Sequence, residues 1–238
     1  MPQYSDDLWL GAATGPQSKG WAGPGQVYAG VGPLGRVYIY DVVPVALSAT
    51  AVCNAQAIAA AGYASINGAT ASNGSATLDC ARAITVVSSG VGDTTQTVLI
   101  TGTDYWGQAQ TQLLTLNGTT TVTSTKTFKT VTSVYVSALL AGNLSVGDAD
   151  VFGLPYKVTD AGYLLRTGWA NAVADNAGTF VAADVTTPSN VTGDVRGTFA
   201  PTGSASNGAR RLVIAIGLTA VQAGPNATQT GAIGAVPA

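Results

Sequence analysis

Short runs in which apolar and polar residues alternate recur along the middle of the chain, and turn signals separate them. Residues 97–103, for example, alternate Val98 and Ile100 against threonine and leucine. A period of two residues is typical of half-buried strands. Asn73-Gly74 and Asn117-Gly118 each end such a run. Because Asn-Gly favours the tight turns of β-hairpins, we predict a hairpin around Asn117-Gly118.

Many short strands at this spacing predict an antiparallel β-sandwich or a Greek-key barrel. Residues 195–199 and 211–218 are expected to form a strand pair within it. A parallel α/β fold is not favoured, because no helical segments separate the strands. Only the alanine-rich residues 48–61 allow a short helix, and an extended stretch suits them nearly as well. The predicted class is all-β.

Glycine and proline divide the two ends of the chain from its middle. Residues 1–36 are predicted to be an extended N-terminal arm and residues 222–238 a C-terminal arm. Residues 46–157 are predicted to form a β-sandwich domain. Residues 37–45 and 158–221 would then form a second β unit into which the sandwich is inserted. A single continuous domain is the alternative.

The N-terminal arm carries large aromatic residues, namely Trp9, Trp21 and Tyr28. A floppy terminus is the simplest interpretation of a segment rich in Gly and Pro. Exposed tryptophan is costly in such a tail, however, and a large aromatic side chain buries about 150–250 Å² when it enters a pocket. We therefore expect the arm to dock on its own domain or on a neighbouring molecule.

The composition supports the all-β class. Charged residues make up 9% of the chain, against about 25% in an ordinary globular protein. All 12 acidic residues are aspartate and there are only four lysines, so of the two residues that usually cover surface helices Glu is absent and Lys is scarce. The net charge is −2 and no basic stripe is present, which argues against a nucleic-acid partner.

Residues 1–7 have neither the basic start nor the apolar run of a signal peptide, and no stretch is apolar for long enough to span a bilayer. We therefore expect no membrane partner and synthesis in a cytoplasm. In that compartment Cys53 and Cys80 should be reduced and buried, and a disulfide between them is the less favoured alternative.

The chain contains no histidine, which excludes Ser-His-Asp and Cys-His catalysis. A glycosidase would need two converging acids, but several aspartates stand beside Gly or Thr at turns, as Asp93 does. Asp148 and Asp150 could begin a calcium site, yet calcium needs six or more ligands and no other acidic cluster is nearby. We predict no enzyme activity, no catalytic residues, no metal site and no cofactor.

Short motifs follow one another in order through the middle of the chain, and together they cover most of residues 55–216. These motifs are Ala59-Ala60-Ala61-Gly62, Ile66-Asn67-Gly68-Ala69, Ala76-Thr77-Leu78-Asp79, Arg82, Ile84-Thr85-Val86, Thr101-Gly102-Thr103-Asp104-x-x-Gly107, Phe128-Lys129-Thr130-Val131-Thr132-Ser133-Val134, Ala141-Gly142-Asn143-Leu144-Ser145-Val146-Gly147, Gly193-Asp194-Val195-Arg196-Gly197-Thr198-Phe199-Ala200-Pro201 and Arg211-Leu212-Val213.

In this order the motifs resemble a module of virion proteins from tailed bacteriophages. The resemblance implies a capsid decoration or cement protein, assembled in the host cytoplasm and located in the virion, that stabilises the head by bridging capsomers. It implies the major capsid protein and further copies of the chain as partners, and no catalytic residues. On this interpretation Trp9, Trp21 and Tyr28 would contact the capsid or a neighbouring subunit.

Two alternatives remain open. A tail, collar or fibre-base component would have the same composition. A carbohydrate-binding module would use Trp106 or Trp169 as a stacking platform, and Trp106 stands in a turn, Tyr105-Trp106-Gly107, where it could face a ligand. The simpler interpretation of Trp106 is that it closes one end of the sandwich, because large aromatics dominate core burial.

Overall fold

The computed structural model describes residues 7–9, 34–170, 177–219 and 232–233. Within these residues the protein is all-β and its sheets are mainly antiparallel, which confirms the predicted class. The strands are β1 (Asp7–Trp9), β2 (Leu34–Val42), β3 (Cys53–Ala57), β4 (Gly62–Tyr63), β5 (Ala71–Ser72), β6 (Ser75–Ser88), β7 (Thr97–Thr103), β8 (Ala109–Thr115), β9 (Val122–Val136), β10 (Asn143–Gly153), β11 (Lys157–Val158), β12 (Leu164–Arg166), β13 (Gly178–Val181), β14 (Thr198–Pro201), β15 (Leu212–Thr219) and β16 (Ala232–Ile233).

The larger sheet has ten strands and curls on itself. Its main path runs β13-β14-β10-β6-β9-β7-β8, and the short strands β3, β4 and β5 pair with β10, β9 and β6. Residues 53–57, where the sequence allows a short helix, form strand β3 instead, so the extended alternative is correct. Of the described residues, only Ala161–Tyr163 are helical, as one 3-10 turn, and no helix among them could cross a membrane.

The turns at Asn73-Gly74 and Asn117-Gly118 connect their flanking strands in different ways. Asn73 and Gly74 both have positive φ, at 50° and 79°, and they join β5 to β6 as a two-residue hairpin. Asn117-Gly118 also forms a tight turn, but the predicted hairpin is wrong because β7 lies between β8 and β9 in the sheet. The backbone of Gly118 bonds instead to Asp93 and Ser88, which draws the turn away from its flanking strands.

The smaller sheet takes its strands from both ends of the chain, in the order β1-β2-β15-β16-β11, with β12 on β15. β2 and β15 pair antiparallel from Gly35 opposite Thr219 to Val42 opposite Leu212. The predicted pairing of residues 195–199 with 211–218 is therefore wrong. β14 pairs instead with β10 and β13. In this register Phe199 of β14 lies opposite Phe152 of β10 and Phe180 of β13.

The buried side chains form two apolar clusters. The first lies within residues 51–146 and fills the curled part of the larger sheet. The second joins Tyr40, Leu212 and Ile214 of the smaller sheet to Phe152 and Phe199 of the larger one. This contact holds the two sheets together. The division into a sandwich at 46–157 and a second unit stays a prediction.

Candidate functional site

A depression of about 280 Å³ lies where the two sheets meet. Strands β2, β6 and β9 line it together with the turn between β7 and β8. The lining residues are Tyr40, Val42, Asp79, Cys80, Ala81, Tyr105, Trp106 and Lys129. Mixed aromatic and polar walls of this kind are typical of small-ligand sites.

The turn between β7 and β8 holds Trp106 in place through Asp104. One carboxylate oxygen of Asp104 accepts hydrogen bonds from the backbone N–H of Trp106 and of Gln108, both at 2.8 Å. The other oxygen accepts from Nε and Nη2 of Arg196, at 3.1 and 2.8 Å. Gly107 adopts φ +84°, a conformation that side chains disfavour. The turn is therefore fixed by a buried ion pair and presents Trp106 rigidly.

The Trp106 side chain is 47% exposed and forms part of the rim of the depression. Its Nε1–H donates to the carbonyl of Pro155 at 2.7 Å, and its ring meets Tyr105 edge to face with centroids 4.9 Å apart. The hydrogen bond fixes one edge of the indole while half of the side chain stays accessible. A ligand-facing role for Trp106 stays a prediction. Trp169, the other candidate platform, is buried against Phe152.

Tyrosines form the wall beside Trp106. Tyr105 packs on Tyr40 with ring centroids 5.8 Å apart, and its hydroxyl lies 3.5 Å from that of Tyr38. The Tyr40 side chain is buried, and its hydroxyl has no hydrogen-bond partner among the described residues. Burial, followed by the nearby Cys80 and Tyr105, raises the pKa of Tyr40, so this phenol stays protonated. Tyr40 therefore brings no charge to this wall.

The polar residues of the depression are held by the backbone. Lys129 Nζ donates to the carbonyl oxygens of Leu78 and Asp79, at 2.8 and 3.0 Å. The Asp79 carboxylate accepts from the N–H of Val45 at 2.7 Å. Fixed polar groups beside an aromatic face can recognise a neutral ring that has an apolar face and hydroxyl groups, such as a sugar. The Cys80 thiol donates to the Asp79 carboxylate with Sγ 3.6 Å from the oxygen, and burial raises the pKa of this thiol, so it stays protonated.

The two aspartates considered for calcium are engaged elsewhere. Asp148 accepts from Arg82 Nη1 and from the N–H of Ser48, both at 2.7 Å. Asp150 accepts from the N–H of Ser206 at 2.7 Å. These contacts fasten two loops to the larger sheet. In the described ranges no three metal-ligating side chains cluster together.

A second set of buried charges holds the loop that precedes β14. Asp194 accepts from the N–H and hydroxyl of Thr127, at 3.0 and 2.8 Å, and from the N–H of Arg196 at 2.9 Å. Burial raises the pKa of Asp194 in spite of these donors. Lys126 Nζ donates to the carbonyls of Thr111 and Ser189, and burial lowers its pKa. These buried groups therefore stabilise the loop that precedes β14.

The remaining predicted residues have different outcomes. Trp21 and Tyr28 lie outside the described residues, and for Trp9 only the backbone pairing with Leu34 is described. Their role as contacts stays a prediction. Cys53 and Cys80 are buried free thiols, and burial raises the pKa of each to about 12.

Sequence reasoning singled out Trp106 in its turn but favoured its burial at one end of the sandwich, and it missed the depression beside this residue. The Tyr40 wall comes from β2, more than sixty residues earlier in the chain, and no local pattern links the two. The family models, the curated proteins and the solved structures that were compared with this chain give no match. The function must therefore be argued from the residues themselves.

Proposed function

We propose that this chain is a non-enzymatic structural protein of a tailed-phage virion, acting as a decoration or cement protein of the head. It would be assembled in the host cytoplasm and bridge capsomers. One observation carries the proposal. The motifs that resemble the phage module coincide with the residues that fasten loops to the sheets.

The glycines of these motifs lie at close backbone crossings. A Cβ on Gly68 would press on the carbonyl oxygen of Thr50, and one on Gly147 would press on the carbonyl oxygen of Ser48. A Cβ on Gly142 would collide with the backbone N–H of Gly90. Only glycine allows such an approach without a shift of the backbone. These glycines therefore fix how closely the crossing backbone segments approach one another.

Arg82, Asp104 and Arg196 of the motifs form buried bonds within the fold, whereas Arg211 pairs with Asp41 at the surface. Arg82 pairs with Asp148 and also donates to the carbonyl of Val45 at 2.8 Å. Asp104 pairs with Arg196 in the later motif, 92 residues away. Motif residues that are engaged in this way favour a scaffold role over a reaction site. That is what a repeated building block of a particle requires.

The proposed partners are the major capsid protein and further copies of the chain. Each copy would add a modest interface, and repetition over a lattice gives stability through avidity. The weak net charge of −2 leaves little repulsion between neighbouring copies. Trp9, Trp21 and Tyr28 are the proposed anchoring residues.

The proposal is tested on density-gradient-purified particles of the phage whose genome encodes the chain. Quantitative mass spectrometry should detect the chain in intact particles after soluble host proteins have been removed. Heads separated from tails should retain it. If it is found only with tails, the tail, collar or fibre-base alternative is correct, and if particles lack it the proposal fails.

A carbohydrate-binding function is the second candidate, because Trp106 is half exposed at the rim of a depression walled by tyrosines. The apolar face of a sugar ring can pack on such an aromatic surface while its hydroxyls reach polar groups. Titration with neutral oligosaccharides should shift the tryptophan fluorescence, and Trp106→Ala should abolish the shift. Val181→Ser, at an exposed position outside the depression, is the matched control.

A further inference from the structure

The chain contains four Asn-Gly pairs, and all four lie within the described residues. They are Asn67-Gly68, Asn73-Gly74, Asn117-Gly118 and Asn207-Gly208. Asparagine followed by glycine is prone to deamidation, because glycine has no Cβ to keep its backbone nitrogen away from the preceding side chain. The nitrogen must still be free to approach the asparagine Cγ. The hydrogen bonds and packing of each pair therefore determine which of the four reacts in the folded protein.

Asn73-Gly74 is exposed and carries no hydrogen bond of its own. The two residues form the tip of the hairpin between β5 and β6, and both are open to solvent. Among the described residues no hydrogen bond involves the Asn73 side chain or the Gly74 N–H. A Cβ on Gly74 would meet no described atom within 4 Å. Attack requires the tip to leave its tight-turn conformation, which costs little because β5 is only two residues long.

Asn67-Gly68 is held on both sides of the bond that would react. The Gly68 N–H donates to the carbonyl oxygen of Val52 at 2.9 Å, and Oδ1 of Asn67 accepts from the N–H of Asn54 at 2.9 Å. Gly68 also crosses residues 50 and 51 too closely for its backbone to turn. Deamidation here would require both hydrogen bonds to break and the crossing to open.

Asn117-Gly118 is protected at its glycine. Gly118 is buried, its N–H donates to the carbonyl oxygen of Asp93 at 2.8 Å, and its own carbonyl accepts from the N–H of Ser88 at 3.2 Å. A Cβ on Gly118 would lie 2.6 Å from the carbonyl oxygen of Val91. The nitrogen is therefore bonded, and close packing keeps it in place.

Asn207-Gly208 separates the effect of exposure from that of hydrogen bonding, because both residues are exposed but both are bonded. The Gly208 N–H donates to the carbonyl oxygen of Pro44 at 2.9 Å. Oδ1 of Asn207 accepts from the N–H groups of Ala209 and Arg210, at 3.0 and 2.8 Å. These bonds fix both the nucleophile and the side chain that it would attack.

We propose that Asn73 is a site of spontaneous deamidation in the folded protein. The Gly74 nitrogen loses its proton to hydroxide and forms a bond to Cγ of Asn73, and the side-chain nitrogen leaves as ammonia, which gives a cyclic succinimide. Water then opens the ring at either carbonyl and yields aspartate or isoaspartate. Each event adds one carboxylate, so the formal net charge changes from −2 to −3. The hairpin tip thereby marks the age of a folded copy.

The proposal is tested on the purified full chain and does not depend on the proposed function. Peptide mapping by mass spectrometry follows the amide of each Asn-Gly pair during incubation in mildly alkaline buffer. Asn73 should react about tenfold or more faster than the other three asparagines, because each of those must first release a hydrogen bond. In concentrated urea the four rates should become similar, since the same two residues react in each pair.

Asn73→Gln is the control variant, because its longer side chain would have to close a larger and less favourable ring. In isoelectric focusing it should remove the early acidic shift of the folded chain, and the other three pairs should react at unchanged rates. An acidic shift that persists in this variant overturns the proposal. So does an Asn73 amide that survives in the folded chain while it is lost in urea, or another Asn-Gly pair that reacts as fast as Asn73 in the folded chain.

Discussion

Arg82 is a residue on which several parts of the chain converge. Its guanidinium is fully buried, pairs with Asp148, and bonds to the carbonyl of Val45 and the hydroxyl of Ser206. It also lies over the ring of Phe152, 5.3 Å from the centroid. A buried charge is tolerated only when such partners replace its water.

Removing Arg82 should therefore be costly. Arg82→Ala leaves the Asp148 carboxylate buried without its partner, and we expect a loss of about 3–5 kcal/mol in the free energy of unfolding. Urea denaturation measures it. Arg211→Ala, which breaks the exposed pair with Asp41, is the control and should change stability little. Equal losses in the two variants would contradict the scaffold role of Arg82.

Asp93 gives the fold a dependence on pH. Its carboxylate accepts from the hydroxyl of Ser88 and from the N–H groups of Ala141 and Gly142, and these bonds lower its pKa below 3.8. A lowered pKa stabilises the folded state above pH 3.8, and the stabilisation is lost as the pH falls through the folded value.

Asp93→Asn should remove this contribution. Thermal unfolding should show the wild-type chain more stable than the variant at neutral pH, with the difference shrinking steadily below about pH 4. The asparagine cannot titrate and offers one acceptor oxygen where the carboxylate offers two. A difference that stays constant down to strongly acidic pH would show that the carboxylate charge is unimportant.

Among the elements, glycine at strand crossings sets how closely segments approach. Gly147 in β10 lies under residues 48 and 49, whereas a Cβ on Gly62 in β4 would have no described atom within 4 Å. Gly147→Ala should cost about 1–3 kcal/mol through overpacking, and Gly62→Ala about zero. Chemical denaturation of both variants measures this, and a tolerated Gly147→Ala would refute the close crossing.

Elements were predictable where their cause is local. The alternation of residues 97–103 identified β7, and Asn73-Gly74 indicated a turn, because Asn and Gly are the residues that most readily adopt positive φ. The pairing around Asn117-Gly118 was not predictable, because β7 inserts between the flanking strands. The turn around Trp106 drew attention to that residue because the signal is local. Tyr40, which forms the wall beside it, lies on a distant strand and was not predicted to be near it.

At the scale of the whole molecule, the smaller sheet joins residues separated by most of the chain. β2 pairs with β15 over eight residue pairs, and no pattern within either strand predicts which strand it pairs with. Composition predicted the all-β class, whereas the association of the two sheets depends on the buried contacts among Tyr40, Phe152 and Leu212. Such contacts become visible only in three dimensions.

The central claim is that many copies of this chain assemble on a phage head. Cryo-electron imaging of purified particles, with the copies of the chain counted per virion, tests it most directly. The account predicts dozens to hundreds of copies at repeated positions between capsomers. A count of about six or twelve at one vertex would match a tail or portal component, since closed rings have fixed small numbers. Particles without the chain would contradict the account.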